Sequence, residues 1–203
     1  MKKLFGLSVL VILILQGCIP SLHPLYTKND LVSYDKVLGQ WGNSDEGEIW
    51  TFEMLADKDI DFAAEAIDLP DMSKAYYLSI ESNSGKNDFV VHFVKLKDNV
   101  FADFFPVKGS SEKSDFFNLH MISAHTFAHA SFNEGNLSLH MMDQDELKKA
   151  IRENRVRIRH EKTSQGYILT ASTKELQQFV TKYADHEGAF ESELNLERMR
   201  INE

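Results

Sequence analysis

From Leu38 onward the apolar residues of this chain recur at every second position, and that period constrains the fold more than anything else in the sequence. Glu48-Ile49-Trp50-Thr51-Phe52-Glu53-Met54 and Tyr77-Leu78-Ser79-Ile80-Glu81 alternate as strands with one buried face do. Asp88–Lys97 and Val100–Pro106 flank Lys97-Asp98-Asn99, whose composition predicts a hairpin turn. Thr126–Phe132 and Leu137–Met142 flank Asn133-Glu134-Gly135-Asn136 and predict a second hairpin. Setting Phe132 opposite Leu137 aligns Phe132, Ala130 and Ala128 with Leu137, Leu139 and Met141 on one apolar face; a slip by one residue would scatter them. Val156–His160 and Tyr167–Ala171, joined by a turn ending in Gly166, predict a third hairpin. The chain is therefore expected to be mainly β. Its antiparallel meander should curl into a barrel or a strongly bent sheet.

Two helices interrupt the alternation. Asp143 stands as an N-cap with Glu146 three residues later, Met142 and Leu147 at the staple positions, and Leu147, Ala150 and Ile151 as the apolar stripe. This predicts a helix near 143–154. Ser172 and Glu175 open a second, near 173–186, whose Leu176, Phe179, Val180 and Tyr183 fall at i, i+3, i+4 and i+7. Gly188 marks its expected far end. No repeat or low-complexity stretch occurs, and Asp68–Lys74, with Pro70, reads as the longest loop.

The amino terminus has another character. Lys2 and Lys3 precede an apolar run of 12 residues, Leu4 to Leu15. A bilayer span needs roughly 20, so the run suits a secretory h-region instead. Leu15-Gln16-Gly17-Cys18 then resembles the lipobox of bacterial lipoproteins, in which the cysteine is acylated and becomes the first mature residue. The alternative is a plain signal peptide that ends beside a cysteine. On the lipoprotein reading, 1–17 is a signal peptide, 18–37 a lipid-bearing tether and opening segment, and 38–203 a single domain. Loss of 1–17 removes two lysines and takes the formal charge from -9 to -11. So acidic a surface argues against nucleic acid and leaves membrane binding to the acyl chains on Cys18. Cys18 is the only cysteine, so no thiol remains for a disulfide, a metal or a nucleophile. Ile19 after the cysteine favours the outer membrane, facing the periplasm.

Two further resemblances bear on the domain. Gly39-Gln40-Trp41 is similar to the Gly-x-Trp of lipocalins and their calycin relatives, in which the Trp closes one end of the barrel; a buried Trp after a glycine turn is the plainer reading. Cys18-Ile19-Pro20-Ser21-Leu22-His23-Pro24-Leu25-Tyr26, with Leu38-Gly39-Gln40-Trp41, Trp50-Thr51-Phe52-Glu53, His125-Thr126-Phe127 and Leu169–Gln177, resembles a family of small, uncharacterised bacterial lipoproteins over roughly residues 18 to 200. That resemblance implies a lipoprotein of one domain. It assigns no catalytic residue.

Candidate chemistry is sparse. His120, His125, His129 and His140 fall close together, and the hairpin register sets His129 opposite His140 with His125 two pleats along. Imidazoles about 5 Å apart at Cβ could share Zn2+ or Cu2+. A packed face of hydrogen-bonded histidines is the competing reading, and no carboxylate or cysteine stands in the motif. Asp57-Lys58-Asp59-Ile60-Asp61 with Asp68 echoes a calcium loop, but Phe62 occupies the position that needs glycine, and an edge strand fits better. Arg152, Arg155, Arg157 and Arg159 form a basic run, either a solvated strand face or a contact for carboxylates. His160-Glu161 lacks its second histidine at Ser164, Gly-x-Ser-x-Gly is absent, and Ser110-Ser111-Glu112-Lys113 lies on a polar loop. The expectation is a non-catalytic envelope protein without a cofactor. One version binds an apolar ligand inside the barrel. In the other, the 14 Phe, 6 Tyr and 2 Trp fill the interior and an outer face binds another envelope protein.

Overall fold

The alternating segments pair with their neighbours in order, and the last strand returns to the first. A computed structural model describes residues 19–43, 47–58, 71–107, 120–164, 166–184, 186, 189–190 and 192–199. Its strands are β1 (Leu31–Val32), β2 (Gly39–Asn43), β3 (Glu48–Met54), β4 (Ala75–Ser82), β5 (Gly85–Leu96), β6 (Asn99–Pro106), β7 (Thr126–Asn133), β8 (Asn136–Met141), β9 (His160–Thr163), β10 (Gly166–Leu169) and β11 (Ser192–Arg198). Its helices are α1 (Gln144–Arg152) and α2 (Thr173–Tyr183). β2 to β8 form an antiparallel meander, and β11 pairs with β8 on one side and β2 on the other. The result is a closed eight-stranded barrel of the lipocalin-like kind, with β1 as an extra strand. β1 pairs with Val94 and Phe93 of β5, just past the point where β4 begins opposite His92.

Two-residue turns set the register of the long hairpins. Leu96 pairs with Asn99 around Lys97-Asp98, and Asn133 with Asn136 around Glu134-Gly135. Phe132↔Leu137, Ala130↔Leu139 and Ala128↔Met141 are partners, the register expected from the apolar pattern. The third hairpin is displaced from its expectation. β9 begins only at His160, because the amides of Arg155 and Val156 bond back to Ala150 C=O at the end of α1. Residues 156–159 are irregular, although Val156 is still buried and Arg155, Arg157 and Arg159 still face solvent.

Alternation splits the strands between two apolar layers. The inward residues Trp41, Trp50, Phe52, Tyr76, Leu78, Val91, Phe93, Phe104, Leu137, Leu139 and Leu196 form one continuous cluster with Ala102, Ala128 and Ala130. Tyr76, Phe52, Phe93 and the three leucines of β4 and β8 are fully buried. Trp41 closes this cluster at the Val37 end. Its indole N–H donates to Val37 C=O at 2.7 Å, and the Arg198 guanidinium lies 4.4 Å from its ring centroid. Gly39 precedes it with φ +109°, where a Cβ would stand 3.3 Å from Arg198 Nη1, so glycine is required there. Among the described residues, the barrel interior is occupied by its own aromatic and leucine side chains.

The second layer lies outside the wall. Val94, Leu96, Phe101 and Phe127 point outward from β5, β6 and β7 and are covered by Ile19, Leu25, Tyr26 and Leu31, by α1 and by α2. Leu176 and Val180 of α2 are fully buried in this layer and Phe179 nearly so, as the stripe predicts. Asp143 caps α1 by accepting Glu146 N–H at 2.8 Å, and Glu175 accepts both the amide and the hydroxyl of Ser172 at the start of α2. α2 ends at Tyr183; Gly188 and residues 68–70 of the expected loop lie outside the described residues, and Met72–Lys74 form a 3-10 turn. Among the described residues no helix is long and apolar enough to cross a membrane.

Candidate functional site

Two features of the outer layer carry polar chemistry. The first is the docking of the opening segment. Residues 20–22 run as a short strap between β7 and β10. Pro20 C=O accepts Leu169 N–H, Ser21 exchanges both backbone bonds with His125, and Leu22 N–H donates to Leu169 C=O, all at 2.8–2.9 Å. α2 holds the next turn, with Thr173 Oγ1 donating to Pro24 C=O at 2.8 Å and Gln177 Nε2 to Leu25 C=O at 2.9 Å. The segment expected as a tether is thus a fixed part of the domain from Ile19 onward, with Ile19, Ser21, Leu25 and Tyr26 buried.

Beneath the strap lies a buried polar cluster. Asp103, on the outer face of β6, is 1% exposed. Its Oδ2 accepts Leu25 N–H at 2.7 Å, and its Oδ1 lies 2.7 Å from His125 Nδ1. Burial pushes the Asp103 carboxyl up, while His125 and the Leu25 amide pull it back. Its cross-strand partner His92 is equally buried, with Tyr26 packed 4.3 Å away between ring centroids. Among the described residues His92 Nε2 has no hydrogen-bond partner. Burial, with the nearby His125, lowers its pKa to about 4, so the ring is neutral at ordinary pH. An Asp–His pair can serve as a base for a hydroxyl nucleophile. Here the neighbouring buried hydroxyl, Ser21 Oγ, donates to His23 C=O at 2.8 Å, and the carboxylate holds the strap.

The second feature is a cleft between the helices. α1, α2 and the chain after α1 enclose about 340 Å³. Met142, Leu147, Ala150, Val156 and Phe179 make its floor, and Tyr183 closes one side with its hydroxyl on Arg155 C=O at 2.9 Å. Asp143, Glu146, Arg155 and Lys182 supply its charged lining, with Arg155 Nη2 4.0 Å from Glu146 Oε2. Past Arg155, Phe179 and Lys182 the cleft continues into a wider groove of about 930 Å³ along Arg157, Arg159 and His160. Arg159 Nη2 is bonded to Glu175 Oε2 at 2.6 Å, and with Ser172 it holds the Glu175 carboxyl at a pKa of about 2.

The histidines divide between separate places. His129 and His140 are cross-strand partners on the outer face, ring centroids 6.3 Å apart, as the register predicts. His125 turns instead to Asp103, and His140 Nε2 lies 3.7 Å from Glu193 Oε1 of β11. The carboxylates missing from the motif therefore come from other strands. Among the described residues no group of three or more His, Cys, Asp or Glu is placed to hold a metal. Of the acidic run only Asp57 and Lys58 are described; Asp59, Asp61 and Asp68, like Cys18 and Ser110–Lys113, lie outside the described residues. Asp103 and His92, each a polar residue inside an apolar strand, were not among the expected site residues, and Tyr183 was expected only in the apolar stripe of α2. No protein-family model, curated protein or solved structure matches the chain.

Proposed function

We propose that this protein is an acylated envelope lipoprotein that acts as a non-catalytic binding module from the outer face of its barrel. The observation that carries the reading is the filled interior. Trp41, Trp50, Phe52, Tyr76, Phe93 and Phe104 occupy the space where a lipocalin-like barrel would hold its ligand, so binding at the outer face is favoured over the version with a ligand inside. The helix cleft, at about 340 Å³, lies within the range of small-molecule sites, about 300–1,000 Å³.

The docked strap supports the same reading. Consecutive Cα atoms are about 3.8 Å apart, so an acyl anchor on Cys18 begins one residue from buried Ile19. Such an anchor would hold the barrel close to an outer-membrane surface, facing the periplasm, without a flexible spacer. Metabolic labelling with an alkyne fatty acid tests the anchor. Wild type should label and Cys18→Ser should not; equal labelling contradicts the lipoprotein reading. A broad hydrolase screen of the Cys18→Ser protein tests the non-catalytic part, and robust turnover would overturn it.

A further inference from the structure

We infer that the groove formed by α1, α2 and residues 155–160 binds a single-chain anionic amphiphile, its chain in the apolar cleft and its head group on Arg157 and Lys182. This inference rests on the outer-face reading above and names the ligand class of that face.

Three observations converge. The cleft floor is apolar and built from rigid elements, with Leu147 and Ala150 on α1 and Phe179 on α2, each almost wholly buried. Its volume of about 340 Å³ suits one small ligand or one alkyl chain. The groove it joins is lined by Arg155, Arg157, Arg159 and Lys182 against Glu175 alone, in a chain whose formal charge is -9. Arg159 is committed to Glu175, and Arg155 to Glu153 at 2.6 Å with Glu146 4.0 Å away. Arg157 and Lys182 have no carboxylate partner among the described residues, and the Lys182 ammonium lies 5.1 Å from the Tyr183 ring centroid.

The charges also orient the ligand. Asp143 and Glu146 line the cleft and not the groove that holds Arg157, which disfavours an anionic head in the cleft itself. Lys182 borders both cleft and groove, so a chain in the cleft brings its head to Lys182 and the Arg157 side. A phosphate or carboxylate there gains charge-assisted hydrogen bonds, with the planar guanidinium offering a paired donor set. A neutral head gains neither, and a free inorganic anion leaves the apolar floor unused.

Calorimetric titration of the Cys18→Ser protein with monomeric dodecyl phosphate tests the inference. One saturable site is expected. The double variant Arg157→Glu/Lys182→Glu, both on the surface, should keep the wild-type thermal unfolding and weaken binding about tenfold or more, as loss of charge-assisted contacts does. Added salt should weaken it further. The inference is overturned by equal binding of dodecyl maltoside, by inorganic phosphate binding as tightly as dodecyl phosphate, by unchanged affinity in the double variant, or by no binding. Retention on anionic vesicles without monomer binding also overturns it, because the site would then be a surface for a bilayer. These outcomes leave the acylation reading standing, since labelling at Cys18 scores that separately.

Discussion

Asp103 accepts the backbone N–H of Leu25 at 2.7 Å across 78 residues of chain, from a position inside the outer apolar layer. That one bond, backed by His125 on the other carboxylate oxygen, ties the opening segment to the barrel wall. Asp103→Ala would leave the Leu25 amide and the His125 ring buried without their acceptor. Leaving a buried donor without its acceptor costs about 1–3 kcal/mol. Hydrogen exchange should report loss of protection at Ser21, Leu22 and Leu25 before the barrel opens. If those amides stay protected in the variant, the carboxylate is not what holds the strap.

His92 gives the domain an acid limb. Its pKa is lowered from 6.5 to about 4 in the folded chain, chiefly by burial. Between those values the unfolded state binds a proton that the folded state refuses. Stability is therefore intact above about pH 6.5 and falls as the pH drops toward 4. At 1.36 kcal/mol per unit the loss is roughly 3 kcal/mol. His92→Leu should flatten that limb and, by removing an unpartnered buried nitrogen, leave stability at pH 7 equal or higher. An unchanged acid limb in urea titrations at several pH values would count against this assignment. Asp103, whose pKa is raised, opposes the trend, since it favours the folded state as it takes up its proton.

Phe93 tests the filled interior. It is fully buried and packs edge-on against Tyr34, Tyr76 and Phe132, with centroids 5.4–5.6 Å apart. Phe93→Ala should cost about 3–5 kcal/mol and open a dry cavity that takes up benzene. Wild type should take up none. Benzene uptake by wild type inside the barrel would mean that the aromatic residues leave usable space.

Most of the barrel was legible as alternation. β3, β4 and the hairpins β5–β6 and β7–β8 each carry an inward apolar residue at every second position, and two-residue turns leave one register open to them. β11 was not legible. Only Leu194 and Leu196 point inward along it, between Glu193, Asn195 and Glu197, so it resembles a charged surface segment until the barrel needs a closing strand. The third hairpin misled for a different reason. Val156 and Ile158 alternate with arginines, but they face the helices, and the end of α1 takes the amides a ladder would need.

The polar site was legible only in part. The strap residues were noticed as a motif, but proline-rich sequence reads as tether unless the acceptors across the chain are known. Asp103 and His92 sit on the outward face of strands, a face assigned to solvent by alternation alone; the second layer of helices and strap buries it. The basic run was visible, while its partition into paired Arg155 and Arg159 and free-facing Arg157 depended on Glu153 and Glu175.

Phe179 joins the outer layer to the helix cleft. It is nearly buried and lines the cleft wall beside Tyr183, with ring centroids 5.1 Å apart. Phe179→Ala should cost about 3–5 kcal/mol, as a large buried truncation does. A thermal shift no larger than that of a surface substitution would place α2 at the periphery.

A ligand can meet either side of the barrel wall, and methyl NMR reads both sides at once. With dodecyl phosphate added to the Cys18→Ser protein, shifts are expected at the methyls of Leu147, Ile151 and Val156 around the helix groove. The interior methyls of Leu78, Val91, Leu137, Leu139 and Leu196 should not move. Shifts at those interior methyls, with the groove methyls unmoved, would contradict binding at the outer face and return the ligand to the inside of the barrel.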